Sequence, residues 1–205
     1  MARSRNVLEV GKPGSCPYTR LVRPIRGGLI SVVGAVLALL ATSGTSWAAF
    51  PGGNGLIAYS ETRGFVPGGG EYNWEIFTIS PAGGDPTRLT DNAIRDVQPS
   101  WSADGRRLAF IRGSAYIGQN QNIWTMRADG THQRQVTHWP TAESAPSFSL
   151  GGGRIVMTRG WDGAGDIVIV RTDGTEPVRL TSGKQARDPV FSPNGRRIVF
   201  AGKPR

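Results

Sequence analysis

The stretch PSWSADGRRLAF, residues 99–110, decides the fold of this 205-residue chain because it occurs in three similar copies. Close relatives of the stretch, PSFSLGGGRIVM and PVFSPNGRRIVF, begin at Pro146 and Pro189. The three copies start 47 and 43 residues apart. Self-similarity at a fixed period of this size is typical of repeat architectures, so the period must be explained before any single element is interpreted.

The repeat extends beyond that stretch. NIWTMRADGTHQRQVT from Asn122 matches DIVIVRTDGTEPVRLT from Asp166, and EIFTISPAGGDPTRLT from Glu75 is an earlier version of both. FPGGNGLIAY from Phe50 aligns with WSADGRRLAF from Trp101. The copies therefore divide the chain into approximate units at 49–92, 93–139, 140–183 and 184–205, the last of them partial.

Each unit contains four short β-like runs separated by tight-turn dipeptides. Asp-Gly and Asn-Gly pairs accept positive φ and close hairpins, and they occur at residues 104–105, 129–130, 173–174 and 194–195. The runs RIVM, DIVIV and RIVF are apolar on both faces rather than alternating. Sheets buried on both sides and repeated without helices are blades of a β-propeller, since each blade is covered by its neighbours. A β-solenoid would need shorter repeats.

The predicted fold class is therefore all-β: four-stranded antiparallel blades, about three and a half of them, in an open or incomplete ring. The linked motifs Pro-x-[Trp/Phe]-Ser-x-[Asp/Asn]-Gly, a basic pair, and Arg-Leu-Thr resemble the WD-like propeller repeat of TolB-type proteins. The resemblance covers residues 50–205, with departures at SLGGG (149–153) and at the shortened first strand near Phe50. It implies an extracytoplasmic scaffold that contacts an envelope lipoprotein.

The first 48 residues are predicted to be a secretory signal. An n-region at 1–28 contains Arg20, Arg23 and Arg26, an apolar helix follows at 29–44, and SWA ending at Ala48 offers small residues to a signal peptidase. The expected location is secreted or periplasmic. An uncleaved membrane anchor is the alternative, and it would make the leader the chain's one contact with a membrane.

Charge and cysteine content narrow the function classes. The formal net charge is +9, but residues 49–205 hold 18 basic residues against 14 acidic ones, without a run of like charges. This balance argues against a nucleic-acid partner. Cys16, the single cysteine, lies in the predicted leader, so the mature chain has no disulfide and no thiolate site.

No catalytic motif is found in the sequence. A serine elbow, a His-Glu-x-x-His zinc motif and a phosphate-binding loop are all missing. His132 and His138 are interpreted as turn and rim residues, and the aspartates of the Asp-Gly turns as hairpin caps rather than calcium ligands. No cofactor or metal site is predicted, and the protein is expected not to be an enzyme.

A binding site is instead predicted where segments enter the innermost strands, which line the channel of a propeller. The polar candidates there are Asp96, Gln98, Glu143, Arg187 and Asp188. Trp139 and Trp161 lie in loops and are candidates for surface contact. Trp101, Phe148 and Phe191 share one repeat position, so they are predicted to pack between blades.

The last copy stops after its second strand. Truncation of a longer product, completion by a second chain, and a stable open domain are the three explanations, and the second of them predicts self-association through the incomplete last blade. The predicted function is an exported, non-catalytic scaffold that binds a protein or an envelope component. The alternatives are the propeller portion of a prolyl-oligopeptidase-like or tricorn-like serine peptidase, and a carbohydrate-binding propeller.

Overall fold

A computed structural model describes residues 5–9, 55–65, 72–113, 121–160, 165–183 and 185–202. Within these ranges the chain forms strands and no helix. The predicted signal helix at 29–44 lies outside the described residues. Nothing in the described part of the chain is a helix long and apolar enough to cross a membrane.

The strands form four antiparallel sheets, named here blades I to IV. Blade I comprises β2 (Ile57–Phe65), β3 (Tyr72–Ile79) and β4 (Thr87–Arg88). Blade II comprises β5 (Asp96–Trp101), β6 (Arg107–Arg112), β7 (Asn122–Arg127) and β8 (Arg134–Gln135). Blade III comprises β9 (Glu143–Phe148), β10 (Arg154–Arg159), β11 (Asp166–Arg171) and β12 (Val178–Arg179). Blade IV comprises β13 (Arg187–Phe191), β14 (Arg197–Ala201) and β1 (Arg5–Glu9).

The predicted turn chemistry is confirmed. The glycines of the four Asp-Gly and Asn-Gly pairs, at positions 105, 130, 174 and 195, all have positive φ. The preceding acidic residues cap their hairpins: Asp129 Oδ1 accepts from the Thr131 backbone N–H at 2.9 Å, and Asp173 Oδ1 does the same for Thr175. The hydroxyls of the same threonines also donate to these oxygens, and the hydroxyl bonds, followed by the backbone bonds, hold the pKa of both carboxyls below the usual range.

Three apolar clusters hold successive blades together. Leu108, Phe110 and Met126 of blade II pack on Ile76 of blade I, with Trp101 at the edge of the cluster. Phe148 lies in the cluster between blades II and III, and Phe191 in the cluster between blades III and IV. The prediction that Trp101, Phe148 and Phe191 pack between blades is confirmed, because the side chains at this repeat position meet equivalent surroundings.

Two turn glycines mark how closely the blades approach each other. A Cβ on Gly130 would lie 2.6 Å from the Leu89 carbonyl oxygen of blade I, and one on Gly174 would lie 2.4 Å from the Val136 carbonyl oxygen of blade II. Real Cβ atoms do not approach oxygen this closely. The Asp-Gly turn between the third and fourth strands therefore needs glycine for contact with the preceding blade as well as for its backbone conformation.

Blade IV contains a strand that its own repeat does not supply. Arg5–Glu9 pairs antiparallel with β14, from Arg5 opposite Ala201 to Glu9 opposite Arg197. This is the position that β7 and β11 occupy in their blades. The open edge of β14 presents unpaired N–H and C=O groups, which an extended segment satisfies whatever its position in the chain. The leader assignment of this segment stays a prediction.

The ring does not close within the described part of the chain. Strands of blades I and II, II and III, and III and IV contact one another, whereas no strand of blade I contacts a strand of blade IV. The fold is an unclosed β-propeller array, as the sequence predicts.

Candidate functional site

Each innermost strand carries the same β-bulge. The pairing register shifts between Val97 and Ser100 in β5, and between Arg187 and Val190 in β13. The residue before the proline has positive φ in all three copies: Gln98 (55°), Ala145 (52°) and Asp188 (53°). Positive φ is uncommon for residues other than glycine, and bulges of this kind redirect side chains near functional sites. Three equivalent bulges therefore place their residues along the inner edge of the array.

The bulges of neighbouring blades are linked. Gln98 Oε1 of blade II accepts a hydrogen bond from the Ala145 backbone N–H of blade III at 2.7 Å. The Asp188 backbone N–H of blade IV donates to Thr158 Oγ1 of blade III at 3.2 Å. These bonds hold the backbone amides of Ala145 and Asp188, both of which have positive φ.

Asp96 is buried rather than displayed at the channel mouth. Its carboxylate accepts two hydrogen bonds from the Arg112 guanidinium, each 2.7 Å long, and a third from Asn92 Nδ2 at 2.8 Å. Arg112 in turn lies over the Trp124 ring at 4.6 Å. This bidentate pair binds β5 to the end of β6 and leaves Asp96 no free surface for a ligand.

Glu143, the equivalent residue of blade III, is also fully buried. The Thr137 hydroxyl donates to Glu143 Oε2, and the Ile123 backbone N–H donates to the same oxygen at 3.2 Å. Glu143 Oε1 has no hydrogen-bond partner among the described residues. Burial raises the pKa of this carboxyl to about 7, against the opposing effects of its hydrogen bonds and of Arg159. Glu143 is thus a buried structural acid.

The contacts of Arg159 explain why the surroundings of Glu143 differ from those of Asp96. It occupies the place of Arg112 in blade III, but its Nε donates to Thr141 Oγ1 at 3.0 Å, and its guanidinium lies 4.3 Å from the Trp139 ring centre. Trp139 is half-buried and packs against the core cluster. It lies under Arg159 and does not stand free at the surface as the loop position suggested. Trp161 lies outside the described residues.

A polar network that the sequence analysis missed repeats in blades I, II and III. The threonine of Arg-Leu-Thr accepts a hydrogen bond from the N–H of the isoleucine on the third strand, as in Thr90 with Ile76 (2.9 Å) and Thr181 with Ile167 (2.8 Å). The Thr90 hydroxyl donates to Glu75 Oε2 at 2.5 Å. Glu75 also accepts from Arg88, so one buried carboxylate fastens the outermost strand.

Blade II lacks that acid because Asn122 occupies the position of Glu75. Its threonine, Thr137, uses Glu143 of the following blade instead. The recurrence of Asp, Asn or Glu beside isoleucine together with a later threonine was the sequence signal for this network. The isoleucine and the threonine are 14 residues apart in blades I, II and III.

Three of the five channel-mouth candidates remain open to solvent. Gln98, Arg187 and Asp188 are exposed, and the last two belong to the bulge of β13. Arg187 Nε lies 4.0 Å from Asp188 Oδ2, a surface ion pair. Asp96 and Glu143 are instead buried, and their carboxylates are hydrogen-bonded to Arg112 and Thr137 respectively. The arrangement offers hydrogen-bond donors and acceptors of both charges on a rigid edge, which suits recognition of a polar surface.

The comparisons with known proteins agree with this geometry. The model of the TolB beta propeller domain matches residues 37–205. The chain belongs to the TolB β-propeller domain family. The match spans blades I to III together with β13 and β14 of blade IV, and it begins at residue 37, in a stretch that the structure does not describe.

Two curated proteins are similar to this chain over part of their length. A Protein TolB homolog from Chlorobium luteolum is 33% identical over 151 residues, covering 72% of this chain and 31% of that protein. The uncharacterized peptidase YuxL of Bacillus subtilis is 28% identical over 167 residues, covering 63% of this chain and 25% of that protein. This TolB-family chain spans less than a third of either relative's length.

Among solved structures, TolB from Acinetobacter baumannii superimposes with a TM-score of 0.57. It is 20% identical, and the match covers 71% of this chain and 35% of that one. At this identity the likeness supports the propeller fold alone. The fold hosts many activities, so function must be argued from the site.

Proposed function

We propose that this TolB-family chain is an exported, non-catalytic propeller that binds a protein or another envelope component at the inner edge of its blades. The observation that carries the proposal is the set of bulges: Gln98, Arg187 and Asp188 are exposed, the Gln98 side chain holds the Ala145 backbone amide, and Thr158 holds that of Asp188. Rigid display of polar groups lowers the entropic cost of binding. The likeness to a TolB homologue supports the envelope setting.

Absence of catalysis is part of the proposal. Within the described ranges, Asp96 and Glu143 are buried in structural hydrogen bonds, and His132 and His138 are exposed. Catalysis by a serine nucleophile requires a base within hydrogen-bond reach. Treating the full chain with a fluorophosphonate probe tests this point: no serine should be labelled, and labelling of any serine would overturn it.

Binding is tested by comparing two double variants in the native host. Arg187→Ala with Asp188→Ala alters the β13 bulge, whereas Asn194→Ala with Arg196→Ala alters the turn at the other end of the same blade. We expect the first variant to lose most of its covalent cross-links to envelope proteins and the second to retain them. Equal cross-linking by both variants would contradict the proposed site.

Export is tested separately. The mature protein should appear in the extracytoplasmic fraction with an N-terminus at Ala49, as the SWA sequence ending at Ala48 predicts. A cytoplasmic protein that retains Met1 would contradict export without affecting the binding result.

A second candidate function follows from the likeness to YuxL, a protein named as a peptidase. On this proposal the chain is the propeller portion of a longer serine peptidase, whose catalytic serine lies in a domain that follows Arg205. Reading the gene beyond the codon for Arg205 distinguishes the candidates, since an α/β domain with a Gly-x-Ser-x-Gly elbow would favour the peptidase.

A further inference from the structure

Two arginines lie directly opposite each other where strands β6 and β7 of blade II meet their turns. Arg107 pairs with Arg127 in the register of these strands. Blade III repeats the arrangement, since Arg154 pairs with Arg171 across β10 and β11. Like charges directly opposite each other in a sheet are destabilising. A negative charge beside either pair would offset this repulsion.

Blade III supplies that negative charge from its own chain. Arg171 Nη1 donates to Glu176 Oε1 at 3.1 Å, and Arg154 Nη2 lies 4.0 Å from Glu176 Oε2. Arg171 Nε also lies 3.8 Å from Asp173 Oδ2. The Glu176 carboxylate therefore interacts with both members of the arginine pair, through one oxygen each.

Blade II has no acid at the position of Glu176. RADGTH at residues 127–132 aligns with RTDGTE at residues 171–176, so His132 takes that position. His132 and Glu176 also share an uncommon backbone conformation, with φ of 54° and 51°. Among the described residues, the Arg127 guanidinium has no hydrogen bond and no ion pair, and its charge acts on Asp129 only from a greater distance.

The surface at Arg127 is an open depression of about 480 Å³, a volume in the range of ligand pockets. Its charged lining residues are Arg106, Arg107, Arg127, Asp104 and Asp129. Arg106 and Arg127 are exposed. Three arginines are thus set against two aspartates, so the depression has an excess of positive charge.

Both aspartates are already engaged in their own turns. Asp104 Oδ1 accepts a hydrogen bond from the Ser102 hydroxyl at 2.6 Å, and Asp129 Oδ1 accepts one from the Thr131 hydroxyl at 2.7 Å. No ion pair joins either carboxylate to an arginine of the depression within the described ranges. The arginines are therefore left for a carboxylate from outside the chain.

Arg107 is held in place by blade III. Its Nη2 donates to the Gly152 carbonyl oxygen at 2.7 Å, and its guanidinium carbon lies 5.2 Å from the centre of the Phe148 ring. An arginine fixed in this way loses little side-chain entropy when a ligand binds. Guanidinium groups hydrogen-bond carboxylates in a planar, often bidentate geometry, which favours a carboxylate as the ligand.

We infer that this depression of blade II binds a glutamate or aspartate side chain of a protein partner, in the place that Glu176 occupies in blade III. Glu176 indicates the ligand class, because it is a carboxylate on a peptide segment bound to the equivalent arginines. The site lies at the opposite end of the strands from Asp96, which pairs with Arg112. It is therefore separate from the inner-edge site proposed above.

The experiment measures binding of a fluorescein-labelled tetraglutamate peptide to the full chain by fluorescence anisotropy, at about 0.15 M salt so that distant surface charges are screened. We expect the wild type to bind this peptide and not its tetraglutamine analogue. Arg127→Gln should weaken binding at least about tenfold, because it removes a charged hydrogen-bond donor. Arg196→Gln removes the same charge from an exposed arginine in a turn of blade IV and should keep the wild-type affinity.

Exchanging the residues at the repeat position of Glu176 tests the ligand class. His132→Glu should abolish peptide binding, because it gives blade II a carboxylate of its own, whereas His132→Gln should preserve binding. Glu176→His should add a second, weaker site in blade III, which calorimetric titration detects as a higher stoichiometry. All these side chains are exposed, so we expect circular dichroism melts to show folded variants.

Four results would overturn the inference. The first is a wild type that does not bind tetraglutamate, and the second is unchanged binding by Arg127→Gln or His132→Glu. Binding of tetragalacturonate without tetraglutamate would assign the depression to an acidic glycan instead of a protein. Loss of peptide binding in the Arg187→Ala, Asp188→Ala double variant would place the peptide at the inner edge, which supports the proposed function and contradicts this second site.

Discussion

The α-carbon of Gly174 in blade III lies against the carbonyl oxygen of Val136 in blade II, closely enough that a Cβ would be only 2.4 Å from that oxygen. The contact joins the turn of one blade to the outermost strand of the blade before it. Gly130 makes the same contact with Leu89. Stability of the array therefore depends on residues that look like ordinary hairpin glycines.

Gly174→Ala should destabilise the protein far more than Gly105→Ala. Both glycines have positive φ, which costs alanine about 1–2 kcal/mol, but Gly105 has nothing within 4 Å of a Cβ. The backbone clash at Gly174 adds about 1–3 kcal/mol, the usual cost of overpacking. Urea unfolding of both variants measures the difference, and equal losses would show that backbone conformation alone demands glycine.

Arg112→Met should cost about 3–5 kcal/mol of unfolding free energy, because it leaves the Asp96 carboxylate buried without its bidentate partner. Arg159→Met is the matched control, since Arg159 occupies the same place in blade III but hydrogen-bonds Thr141 and lies over Trp139, and it acts on the buried Glu143 through its charge alone. We expect its loss to be several-fold smaller in chemical denaturation. Similar losses in the two variants would contradict the structural role assigned to Asp96.

Glu143→Gln should change how stability depends on pH. Because the folded pKa of Glu143 is raised to about 7, its contribution is fully present below the unfolded pKa and is lost as pH rises through the folded one. The variant stays neutral, so it should gain about 2 kcal/mol over the wild type between about pH 5 and about pH 8.

The measurement for Glu143 is a set of denaturation curves across that pH range. Glu61→Gln, at an exposed acid, is the control for the removal of one acidic group. A constant difference between Glu143→Gln and the wild type would show that Glu143 does not titrate in this range.

Thr90→Val should cost about 1–3 kcal/mol, because it removes the partner of two buried groups, the Ile76 N–H and Glu75 Oε2. Thr131→Val is the control: its hydroxyl also bonds a carboxylate, Asp129, but in an exposed turn. Thermal unfolding should show a clearly larger loss of stability for Thr90→Val than for Thr131→Val. A loss no larger than the control's would mean that water replaces the threonine hydroxyl in this network.

The repeat made the blades, their turns and the aromatic packing predictable, because period and apolar pattern are local properties of the sequence. The burial of Asp96 and Glu143 was not predictable from the same pattern. Asp96 looks like a solvated residue before a strand, and only the strand register places it opposite Arg112. One signal existed: Glu143 and Arg159 recur with the same 16-residue separation as Asp96 and Arg112.

The exposure of the channel-mouth candidates was not predictable for a related reason. Segments entering the innermost strands are predicted to line the channel, but the alternation of side chains along a strand cannot anticipate a bulge. The bulges at Gln98 and Asp188 break the alternation and decide which side chains reach solvent. The strand Arg5–Glu9 was also missed, since nothing in its sequence resembles the repeat that it completes.

Tandem copies are often regarded as interchangeable modules. In this array they are not, because Thr137 of blade II hydrogen-bonds Glu143 of blade III. An engineer who transplanted blade II alone would leave its threonine without an acid, and one who replaced blade III would remove a side chain that its neighbour needs. Asn122 and Glu143 therefore have to be exchanged together. In shuffled or shortened versions of this array, the smallest unit that transfers intact is the pair of blades.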